Sequence, residues 1–123
     1  MHNIIAASLI ASAIMTGLNG CSKPTTYAAD VELILKENCG RCHTGHQLGV
    51  IASGFSLDSY ETIIQGSKRG PILVAGSSAS STLYQMVSGQ TDTSSSSHLG
   101  ILPLSTTQSE VIRSWIDQGA VKQ

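Results

Sequence analysis

Five consecutive residues, Cys39-Gly40-Arg41-Cys42-His43, constrain this 123-residue chain more than any other feature. Two thiols separated by two residues and followed at once by an imidazole form the C-x-x-C-H arrangement that carries a c-type haem. One turn of backbone presents both sulfurs to the same edge of the macrocycle, where they add to its vinyl groups. The adjacent imidazole then reaches the iron from one side. A bare C-x-x-C also suits zinc or a redox disulfide. Zinc would need two more soft ligands downstream, and no cysteine follows Cys42. Cys39 and Cys42 are therefore the expected covalent attachment points for haem c, and His43 its proximal axial ligand.

The third cysteine has a different place. From Ile4 to Leu18 the chain is apolar or small and uncharged, too short for a bilayer-crossing helix of roughly 20 residues but suited to an export signal. The stretch ends Leu18-Asn19-Gly20-Cys21, which resembles a bacterial lipobox, although Met1-His2-Asn3 lacks the usual basic charge. The resemblance implies cleavage after residue 20, lipid on Cys21, and (with Ser22 next) sorting to the outer membrane. An ordinary secretory peptide is the alternative. Export agrees with haem attachment, which takes place outside the cytoplasmic membrane. The expected division is a signal peptide over 1–20, a lipidated cysteine and tether over 21–28, and one domain over 29–123.

Seven Lys and Arg against eight Asp and Glu leave the chain near neutrality, with no basic footprint for nucleic acid. Aromatic side chains are few, with one Trp, one Phe and three Tyr. A core so poor in large rings suits a domain built around a bulky apolar cofactor, and without it the loops are expected to hold poorly.

Along the domain, Asp30 is placed to cap a helix with Val31, Ile34 and Leu35 on one face, running into the cysteine motif. Residues 44–55 read as a loop. Asp58-Ser59-Tyr60-Glu61 has the form of a capping box, with Gly66 as the stop of the helix. After an extended segment from Lys68 to Gly76, Ser78 or Ser80 starts a helix with Leu83, Tyr84 and Val87 on its face and Gly89 at its end. Gln90 to Ser97 is rich in Ser and Thr and reads as a loop. Thr107-Gln108-Ser109-Glu110 is a second capping box, opening a helix that points Ile112, Trp115 and Ile116 inward and closes at Gly119.

Several segments, in order, carry a resemblance to a known family. They are Asn38-Cys39-Gly40-Arg41-Cys42-His43, Phe55-Ser56-Leu57-Asp58-Ser59-Tyr60-Glu61 and Gly70-Pro71-Ile72-Leu73-Val74-Ala75-Gly76, then Ser81-Thr82-Leu83-Tyr84, Pro103-Leu104-Ser105 and Trp115-Ile116-Asp117-Gln118-Gly119-Ala120. From Asp30 to Ala120 the chain resembles the class I monohaem cytochromes c, and most of all the cytochrome-c-like domains of planctomycetes and related bacteria. The resemblance implies an all-α fold with the first and last helices packed beside the haem, and electron transfer rather than enzyme chemistry.

One departure bears on the iron. Members of this family carry Met-Pro-Pro before the last helix, the methionine being the second axial ligand, whereas here the segment is His98-Leu99-Gly100-Ile101-Leu102-Pro103-Leu104. His98 is the favoured distal ligand, since imidazole binds haem iron strongly and this loop delivers the ligand in the fold. A surface histidine is the bland reading of the same residue. Met86 is the alternative ligand, although core packing beside Val87 and one turn from Leu83 suits it better. His46 lies too near His43 to reach the opposite face, and an open sixth site is the remaining case.

The expected function is that of a membrane-anchored electron carrier, not an enzyme, with a low potential set by two imidazoles. A gas-binding protein with an open distal site, or a haem subunit of a larger dehydrogenase complex, are the alternatives. Arg41 is a candidate for propionate contact, and the pair Lys68-Arg69 for lining the haem edge and docking an acidic redox partner; solvated charge is the bland reading of all three. Tyr60 and Tyr84 are expected to pack, with a hydroxyl available to a propionate.

Overall fold

The computed structural model describes residues 23–91, 98 and 101–123. A π-helical turn over Tyr27–Val31 runs into α1 (Glu32–His43), followed by α2 (Leu48–Ser53), α3 (Tyr60–Gln65), α4 (Thr82–Val87) and α5 (Thr106–Asp117). Among the described residues there is no strand, only an isolated bridge between Ser67 and Gly70, so the fold is all-α. No helix among them is long and apolar enough to cross a membrane.

The core forms where the faces expected of the first and last helices meet. Val31, Leu35, Ile112, Trp115 and Ile116 are all fully buried, joined by Leu57 and Ile63 from the middle of the chain. Contact between the two ends runs through the π-helical turn. The Tyr27 ring lies 5.9 Å from Trp115 and 5.5 Å from Tyr60, and the Tyr27 and Ala28 amides donate to the Val121 and Lys122 carbonyls. Thr25 is also tied in, its amide donating to Gln118 Oε1 at 2.9 Å. The segment expected as a tether up to residue 28 is therefore docked from Thr25 onward. The cause is Tyr27, whose ring has a buried place between Tyr60 and Trp115. Cys21 and the leading segment lie outside the described residues.

Helix starts differ from the expected ones by one to four residues, each time for a local reason. Thr26, not Asp30, caps the π-helical turn, accepting from the Ala29 amide. Asp30 reaches back from inside it to accept from the Thr26 amide at 2.8 Å. Ser59 and Thr62, not Asp58 and Glu61, form the box that opens α3, because the Asp58 carboxylate is drawn off to Gly45 and Ser56. Ser105 and Gln108 box the start of α5, two residues ahead of Thr107. There the chain is already anchored by the Leu104 amide donating to the Val87 carbonyl at 2.9 Å. At α4 the N-cap position is Ser81, and its fully buried hydroxyl accepts from the Val74 amide rather than capping the helix. Gly66 does stop α3, with φ of 88° in the left-handed region and the Gly70 carbonyl packed where a side chain would stand. Of the expected loop over 90–97, residues 92–97 lie outside the described residues.

Candidate haem-binding site

The last turns of α1 carry the cysteine motif to the edge of a cavity. Cys39 is partly buried against the core, Cys42 is exposed, and both are free thiols. Burial, with a smaller contribution from Cys42, pushes the Cys39 thiol pKa up. His43 is buried and clamped from two directions by the chain over Phe55–Leu57. Its ring Nδ1 lies 3.1 Å from the Phe55 carbonyl, and its own carbonyl accepts from the Leu57 amide at 2.7 Å. A carbonyl oxygen can only accept, so Nδ1 carries the proton and Nε2 keeps the lone pair a metal needs. The Phe55 ring, 5.2 Å from the imidazole, fixes its tilt.

The turn after the motif is held in place as well. Thr44 donates through its hydroxyl to the Gly40 carbonyl at 2.7 Å. The Asp58 carboxylate accepts from the Gly45 amide at 2.9 Å and from the Ser56 hydroxyl at 2.7 Å. The Gly45 amide first, then the Ser56 hydroxyl, hold the Asp58 carboxyl below its ordinary pKa.

One residue of this site gave no signal as such in the sequence. Gly49, inside a segment expected to be loop, sits in α2 against the motif itself. A Cβ there would stand 2.5 Å from the Cys42 carbonyl oxygen and 3.0 Å from Cε1 of His43. Only a residue without a side chain lets α2 approach α1 so closely. α2 buries no residue of its own and leaves Leu48 and Ile51 largely exposed, so no apolar face marked it as helix. Gly54, which caps it in the left-handed conformation, was the available cue.

Together these elements surround a cavity of about 1450 Å³ that reaches Cys39, Cys42 and His43. It exceeds the roughly 300–1,000 Å³ of ordinary small-molecule sites, as a broad macrocycle requires. Three apolar side chains on its wall stand open, Leu48 at 80 %, Ile101 at 54 % and Leu102 at 84 % exposure. Such exposure of large apolar groups around one concavity fits a bound apolar body. Among the described residues no His, Cys, Asp and Glu cluster suits a metal ion alone. The thiol pair, the oriented imidazole and the apolar wall fit haem c.

His98 and Met86 both line this cavity. The rings of His98 and His43 have centroids 5.9 Å apart and planes 15° from parallel. Burial first, and the neighbouring His43 second, hold the His98 pKa below its ordinary value. His46 is exposed and not part of the wall. Arg41, Lys68 and Arg69 are on it. The Tyr60 hydroxyl is committed elsewhere, donating to the Ala120 carbonyl at 2.7 Å. Trp115 is fully buried and belongs to the core, its indole N–H donating to the Val121 carbonyl at 2.8 Å.

No curated protein and no solved structure matches the chain. A family model described as PSCyt1, planctomycete cytochrome C, matches residues 39–95, from the first cysteine of the motif through α4. That match, the helical fold and the C-x-x-C spacing agree, and the chain carries a cytochrome-c-like domain, which implies haem c and haem-based electron transfer.

Proposed function

We propose that this chain is an exported, lipid-anchored electron carrier, with one haem c on Cys39 and Cys42 and with His43 and His98 as axial ligands. The observation that carries the reading is the near-parallel pair of imidazoles on one cavity, 5.9 Å apart. Two imidazoles bound on opposite sides of one metal, each by a bond of about 2 Å, bring their ring centres to about 6 Å.

Bound haem supplies reversible one-electron chemistry at iron; everything else is the work of the chain. The Phe55 carbonyl holds His43 in the tautomer and orientation a ligand needs. Leu48, Ile101 and Leu102, on the cavity wall, would cover the macrocycle and keep water from it. With imidazole in place of thioether the reduction potential falls. Filling both axial positions leaves no site for substrate, so the chain is read as a carrier and not an enzyme. Lipid on Cys21 would keep it at the cell envelope, within reach of membrane-bound redox proteins.

Optical spectra of oxidised and reduced holoprotein test the ligand set, with wild type beside His98→Ala and Met86→Ala. The expected result is a six-coordinate, low-spin spectrum in wild type and Met86→Ala, lost in His98→Ala. A far-red methionine–iron band in the oxidised wild type, removed by Met86→Ala, overturns it. A second reading rests on that outcome, because Met86 lines the same cavity. Rapid carbon monoxide binding by reduced wild type would instead favour an open distal site. Mass spectrometry of the mature N-terminus tests the lipid on Cys21.

A further inference from the structure

The charges around the cavity are one-sided. Three of the chain's seven Lys and Arg residues, Arg41, Lys68 and Arg69, lie on its wall, and no Asp or Glu among the described residues does. The ion pairs among the described residues use Lys36, Arg113 and Lys122, with Glu32, Glu110, Asp117 and Glu61. The three cations on the cavity have no carboxylate partner within this set. A wall that is largely apolar, and whose charged side chains among the described residues are all cations, suits an apolar body with negative groups.

Which of the three meets those groups follows from the attachment. In haem the two vinyl groups and the two propionates occupy opposite halves of the ring. Arg41 stands between Cys39 and Cys42 in sequence and so belongs to the vinyl edge. Lys68 and Arg69 form the tip of a tight turn, in which Ser67 and Gly70 exchange backbone hydrogen bonds at 2.9 Å. This turn is braced against the far end of α2. The Lys68 amide donates to the Ser53 carbonyl at 2.8 Å, and its ammonium donates to the Ile51 carbonyl at 2.6 Å. Gly49 touches Cys42, and Gly54 touches Lys68. The helical rise of about 1.5 Å per residue sets these contacts about 7 Å apart along α2. The turn is thus rigid and displaced from the thioether edge. Arg69 makes no side-chain hydrogen bond among the described residues, whereas Lys68 makes one.

We propose that the Lys68-Arg69 turn is the carboxylate subsite of the cavity, binding the haem propionates with Arg69 as the principal partner and Lys68 as the second. This rests on the reading of the cavity as a haem site. The planar guanidinium of Arg69 matches a carboxylate in two-point fashion, which an ammonium cannot do.

The test is resonance Raman spectroscopy of purified holoprotein, following the propionate bending modes, with covalent haem first verified by mass. Variants are Arg69→Gln, Arg69→Lys, Lys68→Gln and Arg41→Gln. Since the Arg69 side chain makes no hydrogen bond to the described residues, Arg69→Gln should fold as wild type does. The expected result is a shift of a propionate bending mode in Arg69→Gln, a smaller one in Lys68→Gln, partial return in Arg69→Lys and none in Arg41→Gln. Unchanged propionate modes in Arg69→Gln, with haem bound, overturn the proposal while leaving the haem reading intact. A shift in Arg41→Gln alone does the same. Altered salt dependence of electron transfer to an acidic protein, with unchanged propionate modes, would assign the turn to partner docking and also overturn it. Absence of covalent haem in wild type would overturn both.

Discussion

Gly49 packs directly on Cys42, with its missing side chain replaced by the Cys42 carbonyl oxygen, 2.5 Å from where a Cβ would stand. The same position is 3.0 Å from the His43 ring. Two helices so short and so close cannot yield to a methyl group without shifting either the second thiol or the proximal imidazole. Gly49→Ala is expected to destabilise the domain by about 1–3 kcal/mol, the usual range for overpacking. It should also lower the yield of covalently attached haem. Thermal melts and the ratio of haem absorbance to protein check both effects. A variant with wild-type stability and full attachment would show that α2 does not position the motif.

Two tyrosines in one aromatic cluster should respond to loss of their hydroxyls with opposite sign. Tyr60 donates to the Ala120 carbonyl at 2.7 Å, holding the turn after α5. Tyr60→Phe removes a made hydrogen bond and is expected to destabilise by about 1 kcal/mol. The buried Tyr27 hydroxyl has no hydrogen-bond partner among the described residues, and burial above all pushes its pKa up to about 12. Tyr27→Phe removes a desolvated, unmatched group and should leave stability unchanged or raise it by about 1 kcal/mol. Denaturant midpoints of the two variants against wild type decide the matter.

Much of this arrangement was legible in the sequence, and the exceptions share a cause. The faces Val31, Ile34, Leu35 and Ile112, Trp115, Ile116 follow from 3.6-residue periodicity, because those side chains face a core built from the same elements. The cysteine motif fixes its own chemistry by local spacing. What local pattern could not supply was competition from distant groups. Asp58 looks like a cap until Gly45 and Ser56 claim its carboxylate. Residues 25–28 look like a polar tether until the Val121 and Lys122 carbonyls accept from Tyr27 and Ala28, and Gln118 from Thr25. α2 looks like loop because its apolar side chains turn toward the cavity wall and solvent and not toward the protein core. His98 was legible only as a candidate, since its distance from His43 depends on the course of the whole chain between them.

Acid should weaken the domain through two carboxylates held below their ordinary pKa. Asp58 is held down chiefly by the Gly45 amide, and Asp117 chiefly by the Ser78 amide. Both are exposed and both bridge distant parts of the chain, Asp117 accepting from Ser78 at 2.8 Å. A carboxylate whose folded pKa lies below its unfolded one contributes stability in full above the unfolded value. The contribution is lost as pH falls through the folded value. The contribution of these two carboxylates should therefore be flat above about pH 4, the ordinary carboxylate range, and decline below it. Asp58→Asn and Asp117→Asn are expected to be less stable than wild type at neutral pH and to show a shallower decline in acid. Denaturant titrations from pH 7 to pH 3 measure the slopes; equal slopes in wild type and both variants would contradict the assignment.

Removal of the haem attachment should divide the domain rather than unfold it evenly. The buried cluster of Tyr27, Val31, Leu35, Ile112, Trp115 and Ile116 closes on itself between the two ends of the chain. α2 and residues 101 and 102 have no such support. Leu48 and Leu102 are at least 80 % exposed, and α2 buries no residue at all. In Cys39→Ala/Cys42→Ala protein these segments lose the body they would cover, while the cluster keeps its contacts. Hydrogen exchange followed by mass spectrometry should show fast exchange across α2 and at residues 101 and 102, with protection retained at Val31, Leu35 and the inner face of α5. The thermal transition should broaden, as a domain with one closed half and one open half loses cooperativity. Protection of α2 equal to that of the holoprotein would mean that the cavity wall stands without its cofactor.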